Sequence, residues 1–324
     1  PEAAAEPEPE PAPDPAAEAR AAVEARMQEM SLQQKVAQLF VVAPEALALA
    51  PEVSPVTQAA EIAPETLATY PVGGVIFFAA NLIDPDQTTT LLADLQQQYA
   101  QSGNVAPLIG VDEEGGTVTR VARNEAFAIQ DVGNASDIGV AGDARAAKQA
   151  AEHIAEYLMP LGFNLDFAPV ADVVNPLRSD TMGLRSFSSD ATVAAEMVRA
   201  EVEGFRAKNL MSCAKHFPGI GVAAGDSHDG SITIGQTLEE LRAVDLVPFE
   251  AAIEAEVPMI MVGHVSVPNV AGNETPASLN PALVQSLLRE TLAFEGVVVT
   301  DSLSMGAVTN YYTPGQAAVL ALQA

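Results

Sequence analysis

Apolar positions along the chain follow two alternating patterns. Short apolar runs recur at 39–42, 74–78, 108–111, 163–167, 210–214, 258–262 and 296–300. Between them, segments of helical spacing or composition occupy 85–99, 144–159, 191–208, 238–255 and 281–292. Short runs of this kind read as strands buried on both faces, and the longer segments read as helices. The punctuation agrees. Asp84 precedes Pro85, an N-cap followed by proline at the first helical position, and Ser31-x-x-Gln34 has capping-box spacing. Alternation of this kind predicts an α/β domain on a parallel sheet.

The polar residues choose between parallel architectures. Asp112, Asp172, Lys215 with His216, His264 and Asp301 each stand at or just past the end of an expected strand. In a (β/α)8 TIM-type barrel those ends converge on one face, where active sites are built. A doubly wound sheet would more often carry a glycine-rich phosphate turn after its first strand, and the sequence has none. The expectation is therefore a barrel. Seven strands are counted, and the chain ends at Ala324 inside what reads as the helix before the eighth. The expected barrel thus lacks its last strand and helix. Residues 1–16 hold six prolines and little that could pack, so 1–30 are expected to form a flexible segment ahead of a barrel domain over 31–324. A proline-rich start without Met is also common just after a removed export signal, which gives an expectation of an extracellular or cell-envelope location.

Composition narrows the function. Of 324 residues, 43 are acidic and 15 basic, a formal charge of −28, which argues against nucleic acid or an anionic membrane surface as the main partner. Only −6 of that charge falls in residues 1–30, so the acidity belongs to the folded part. A single cysteine, Cys213, excludes a disulfide framework, and no apolar run is long enough to span a membrane.

Four segments carry candidate chemistry. Lys215-His216-Phe217-Pro218-Gly219 is followed by Asp226-Ser227-His228 in a glycine-rich stretch. A carboxylate two residues from an imidazole can orient the ring for acid/base work, or serve only as a loop hydrogen bond. GVVVTDSLSM places Asp301 at a strand end, as a nucleophile or as the N-cap of the next helix. LIGVDEEGGTVTR holds Asp112 and Arg120 around a Gly115-Gly116 turn, and Arg185 lies in Leu-Arg-Ser-Phe-Ser. Either arginine suits a clamp on hydroxyl or carboxylate groups, or an ordinary ion pair.

Together, in this order, the segments resemble glycoside hydrolase family 3, in its β-N-acetylglucosaminidase branch. The Asp-x-Glu-Gly-Gly-x-Val-x-Arg, Arg-Ser-Phe, Lys-His-Phe-Pro-Gly, Asp-Ser-His and Val-x-Thr-Asp-x-Leu patterns are all present, and NLDFAPVADV at 164–173 fits as well. The resemblance implies a retaining exo-β-N-acetylglucosaminidase acting on a small glycoside or muropeptide, without a cofactor or a required metal. It implies Asp301 as nucleophile, His228 as general acid and then base, and Asp226 as its orienting partner. Asp112, Arg120, Arg185, Lys215 and His216 would bind the sugar, and His264, at its strand end, is a further candidate for the pocket wall. A β-glucosidase, a phosphorylase that uses the same His/Asp pair, and an inactive sugar-binding envelope protein are the alternatives. Two positions depart from the pattern: Ile220 stands where the branch usually has His, and Glu113 where Gln is frequent.

Overall fold

A computed structural model describes residues 15–50, 52–174, 182–221 and 230–324. Nine strands occur in chain order: β1 (Val41–Val42), β2 (Gly74–Phe77), β3 (Leu108–Val111), β4 (Leu165–Asp166), β5 (Met211–Phe217), β6 (Ile232–Thr233), β7 (Met259–Val262), β8 (Val265–Ser266) and β9 (Val297–Thr300). Seven form one sheet in the order β1-β2-β3-β4-β5-β7-β9, every pairing parallel. These are the seven expected strands, each next to its neighbour in the chain, as barrel winding requires. Among the described residues β1 and β9 are the two edges and no eighth strand joins them. The two short strands β6 and β8 pair separately.

Alternation along the strands builds the site. Leu108, Met211, Val299 and Cys213 lie in one small apolar cluster with Leu165, Phe167, Met259 and Met261. Ala214, Phe217, Ile260, Val262 and Val298 belong instead to a larger cluster with residues of the surrounding helices. The small cluster is thus the inner face of the curled sheet. Side chains two apart share a face, so Asp112 follows Leu108, Lys215 follows Met211 and Cys213, and Asp301 follows Val299. All three arrive on the inner face at the C-terminal ends of their strands. The runs hid this alternation because both faces are apolar.

Helices Pro85–Gln101, Ala144–Leu161 and Ala191–Ala207 stand close to where they were expected, and the Ser31–Gln34 capping box forms. Three features differ from expectation. Residues Pro15–Glu29 are helical where a flexible segment was expected; this stretch is rich in alanine, a strong helix former, and the other prolines lie ahead of it. The helix expected over 238–255 is split into Leu238–Ala243 and Val247–Glu254. Pro248 explains the split, since its ring would clash with the carbonyl four residues back and it has no N–H to offer. The segment expected over 281–292 is wound as a π-helix, Ala282–Thr291.

Candidate active site

The turn after β3 is built on glycine. Gly115 and Gly116 have φ of +87° and +56°, and a Cβ on Gly115 would lie 2.7 Å from the Gly133 carbonyl oxygen. The turn leaves Asp112 and Glu114 on the site side and sends Glu113 the other way. Glu113 is fully buried and accepts hydrogen bonds from the backbone N–H of Arg120 (2.5 Å), Val121 (2.9 Å) and Ala122 (2.8 Å) and from the Tyr157 hydroxyl (2.9 Å). Burial pushes its pKa up against the pull of these donors. The carboxylate at this departure from Gln thus points away from the site and ties down the loop that carries Arg120.

Glu114 is the hub. Its carboxylate accepts from Arg185 Nε at 2.7 Å and Nη2 at 2.8 Å, a forked pair, and lies 2.6 Å from Lys215 Nζ. Lys215, 2% exposed, also donates to Asp112 Oδ1 at 2.6 Å. The two carboxylates overcome the burial of this ammonium and hold its pKa above the ordinary lysine value. Burial disfavours the Glu114 charge too, yet Lys215 and then Arg185 keep it well below the usual carboxylate range. Arg185 Nη2 also lies 3.5 Å from His216 Nε2.

Asp172 fixes His216. It is fully buried past the end of β4; its Oδ2 lies 2.7 Å from His216 Nδ1 and accepts from the His216 backbone N–H at 3.2 Å. Its Oδ1 accepts the Ile220 N–H at 2.8 Å. The residue that replaces the expected histidine is thus held through its backbone, and its side chain packs on the outer core.

Asp301 comes directly after β9, its N–H donating to Val262 O at 2.9 Å. This backbone bond extends the β7–β9 ladder by one residue and sets the carboxylate on the inner face. The Ser302 N–H donates to its Oδ1 at 2.7 Å. Burial would push the Asp301 pKa up, but the fields of His216 and then His264, the Ser302 N–H and Lys215 hold it below the ordinary carboxylate value. His264, 1% exposed, places Nδ1 2.7 Å from Ser278 Oγ and Nε2 2.8 Å from Ser302 O, so it braces the backbone beside Asp301.

Hydrogen bonds and shared fields thus bring Asp112, Arg185, Lys215, His216, His264 and Asp301 together. Arg120 is on the loop after β3, half-buried. Its Nε is buried without a hydrogen-bond partner among the described residues, and no described contact ties its guanidinium to the others. Asp226 and His228 lie outside the described residues. The sequence reasoning does not single out Glu114 and Asp172 as site residues, although Glu114 is the Glu of the Asp-x-Glu-Gly-Gly pattern and Asp172 stands at a strand end. Among the described residues no group of three or more His, Cys, Asp or Glu is placed to hold a metal ion, and no helix is long and apolar enough to cross a membrane.

A curled parallel sheet with its charged groups at the C-terminal strand ends defines the class, an α/β-barrel domain with the functional face of that fold. The chain belongs to glycosyl hydrolase family 3: the model of that family's N-terminal domain matches residues 31–324. It is 34% identical over 271 residues to beta-hexosaminidase A of Pseudoalteromonas piscicida, covering 79% of this chain and 45% of that protein. It is 32% identical over 302 residues to beta-hexosaminidase LpqI of Mycobacterium tuberculosis, covering 91% and 71%. Among solved structures, a family 3 β-N-acetylglucosaminidase from Paenibacillus sp. str. FPU-7 superposes with a TM-score of 0.82 at 36% identity, covering 91% of this chain and 53% of that one. The chain therefore spans about half the length of two of these three relatives.

Proposed function

We propose that the protein is a retaining exo-β-N-acetylglucosaminidase that releases terminal N-acetylglucosamine from peptidoglycan fragments or related glycosides. The observation that carries this reading is Asp301, a half-buried carboxylate kept ionised at the strand ends beside His216, His264 and Lys215. The names of the relatives support the same chemistry. In the first step an Asp301 oxygen attacks the anomeric carbon, the glycosidic C–O bond breaks, and His228 gives its proton to the departing oxygen. In the second step water attacks the same carbon, Asp301 leaves, and His228 recovers a proton from the water. Asp112, Lys215 and Arg185 would fix the sugar hydroxyls, with Asp226 orienting His228.

Incubation with an aryl β-N-acetylglucosaminide tests the reading. Turnover is expected, and Asp301→Ala should lower kcat on the order of 10⁴-fold or more, as loss of a nucleophile does. Unchanged turnover in Asp301→Ala would refute it. A sugar 1-phosphate formed only when phosphate is present would show the phosphorylase alternative instead. The proline-rich 1–16 and a cell-wall substrate support a location outside the cytoplasmic membrane, which fractionation of the native host would test.

A further inference from the structure

The loop that follows β3 is locked at several points, and one of them bears on Arg120. The N–H groups of Arg120, Val121 and Ala122 are three successive donors that converge on Glu113, a backbone arrangement suited to an anion. Glu113 Oε2 accepts from the first two, and Oε1 accepts from Ala122 and from the Tyr157 hydroxyl. Behind it, the Glu113 N–H donates to Oδ1 of the fully buried Asp166 at 3.0 Å. Tyr157 is braced in turn by His153, one turn earlier on the helix Ala144–Leu161. Their rings meet edge to face with centroids 5.5 Å apart, and His153 Nε2 lies 3.0 Å from Gln130 O. One helix thus holds the loop near both of its ends.

We infer that Glu113, braced by Tyr157, is a positioning residue that aims Arg120 at the sugar, and that its place requires a carboxylate. The inference rests on the hydrolase reading above, in which the resemblance makes Arg120 a sugar-binding residue, and deepens it. The cations of the site are fixed in two different ways. Lys215 and Arg185 are held by their side chains, through Asp112 and Glu114. Arg120 has no ion pair among the described residues, and its Nε is buried without a partner among them. Its direction is therefore set by its backbone, and that backbone is tied through its N–H to Glu113. Glutamine cannot do the same work here. Three of the four donors are backbone N–H groups, which can only donate. With its amide oxygen toward Arg120 and Val121, a glutamine would point its NH2 at the Ala122 N–H; turned over, it would point at the other two. In either orientation a donor meets a donor, and a buried N–H left unmade costs more than the bond contributes. The misfit falls on the segment that begins at Arg120.

The test is a double-mutant cycle read on an aryl β-N-acetylglucosaminide. Glu113→Gln should raise KM about tenfold with kcat within about twofold of wild type, the signature of a weakened binding contact. Tyr157→Phe, which removes one of the four donors and keeps the ring, should raise KM about fourfold. Arg120→Ala should lower kcat/KM about fiftyfold, the scale of a lost charged hydrogen bond. In the Arg120→Ala background, Glu113→Gln and Tyr157→Phe should each add less than about twofold, because nothing remains to be aimed. A substitution that costs as much without Arg120 as with it acts on the fold in general, and that result overturns the inference. An unchanged KM in Glu113→Gln overturns it as well; if that variant does not fold, Tyr157→Phe in the two backgrounds decides alone. Full activity in Arg120→Ala would remove the sugar contact of Arg120, and the inference with it, while leaving hydrolysis at Asp301 intact. Inertness of the wild type would instead sink the hydrolase reading.

Discussion

Glu201 offers the sharpest test of how charge is managed around the site. It lies on the helix Ala191–Ala207, 5% exposed, where that helix packs against Ala144–Leu161, Val247–Glu254 and β5. Burial, and after it the Glu114 charge, push its pKa from 4.5 up to about 8, with Lys215 pulling the other way. The folded state therefore holds this proton more tightly than the unfolded chain does. The sign follows from linkage: the contribution to stability is complete below about 4.5, falls as pH rises, and is lost by about pH 8. At 1.36 kcal/mol per pH unit the loss is roughly 3 kcal/mol by pH 7 and about 5 kcal/mol above pH 8, an upper bound because buried sites relax. Glu201→Gln keeps the shape of the protonated acid and removes the titration. Thermal unfolding of both proteins from pH 5 to pH 9 is the assay. At pH 5 the two should unfold together. At pH 9 the variant should be the more stable by several kcal/mol, which at about 2 °C per kcal/mol for a large domain is a Tm gap of roughly 6–10 °C. Glu113, Asp166 and Asp245 are also pushed up by burial and act in the same direction in both proteins, so the gap between the curves isolates Glu201. Parallel curves over the whole range would refute the reasoning.

Two further outcomes rest on the same chemistry. Glu114→Gln leaves Lys215 with Asp112 alone and removes the forked partner of Arg185, so unfolding should cost about 3–5 kcal/mol less, with turnover falling as well; a Tm within about 2 °C of wild type would contradict the hub role. Cys213 is fully buried and burial pushes its thiol pKa up, so a disulfide reagent at pH 8 should modify it only after denaturant is added, and rapid labelling of the native protein would show that β5 opens.

The sheet was legible in the sequence because its strands are short apolar runs, five of the seven followed at or just past their ends by Asp112, Asp172, Lys215 with His216, His264 and Asp301, and those polar residues are themselves the candidate site. What could not be read was pairing at long range. Glu114 meets Arg185 across 71 positions, and Lys215 meets Asp112 across 103, so only the curl of the sheet reveals that one carboxylate serves both cations. Glu113 and Glu114 are indistinguishable as neighbours in a sequence. The positive φ of Gly115 and Gly116 turns the chain back, so that Glu113 meets the N–H groups of Arg120, Val121 and Ala122 while Glu114 faces Lys215. The two-residue strands β6 and β8 have too few positions to show any period, and the helix split before Val247 was signalled only by Pro248.

The network also leaves Asp301, the nucleophile of the proposed mechanism, less committed to donors than the other carboxylates of the site. Asp112 and Glu114 each sit 2.6 Å from Lys215 Nζ, Glu114 additionally holds Arg185, and Asp172 has both oxygens committed to His216 and Ile220. Among the described residues, Asp301 accepts a single hydrogen bond, from the Ser302 N–H beside it. Its charge is favoured by fields from His216, His264 and Lys215 and not by direct contacts that would occupy its oxygens. A carboxylate stabilised at a distance keeps lone pairs available, whereas one stabilised by donors must break those bonds before it can attack. Moving a donor into contact should therefore reduce reactivity even as it lowers the pKa further. Ser302 is the place to probe that one contact: Ser302→Pro deletes the N–H that Asp301 accepts, and Ser302→Ala keeps it. On this argument Ser302→Ala retains most of the turnover of an aryl glycoside, while Ser302→Pro raises the pKa of the acid governing the acidic limb of kcat/KM. An acidic limb identical in both variants would mean that this N–H contributes nothing to holding Asp301 ionised.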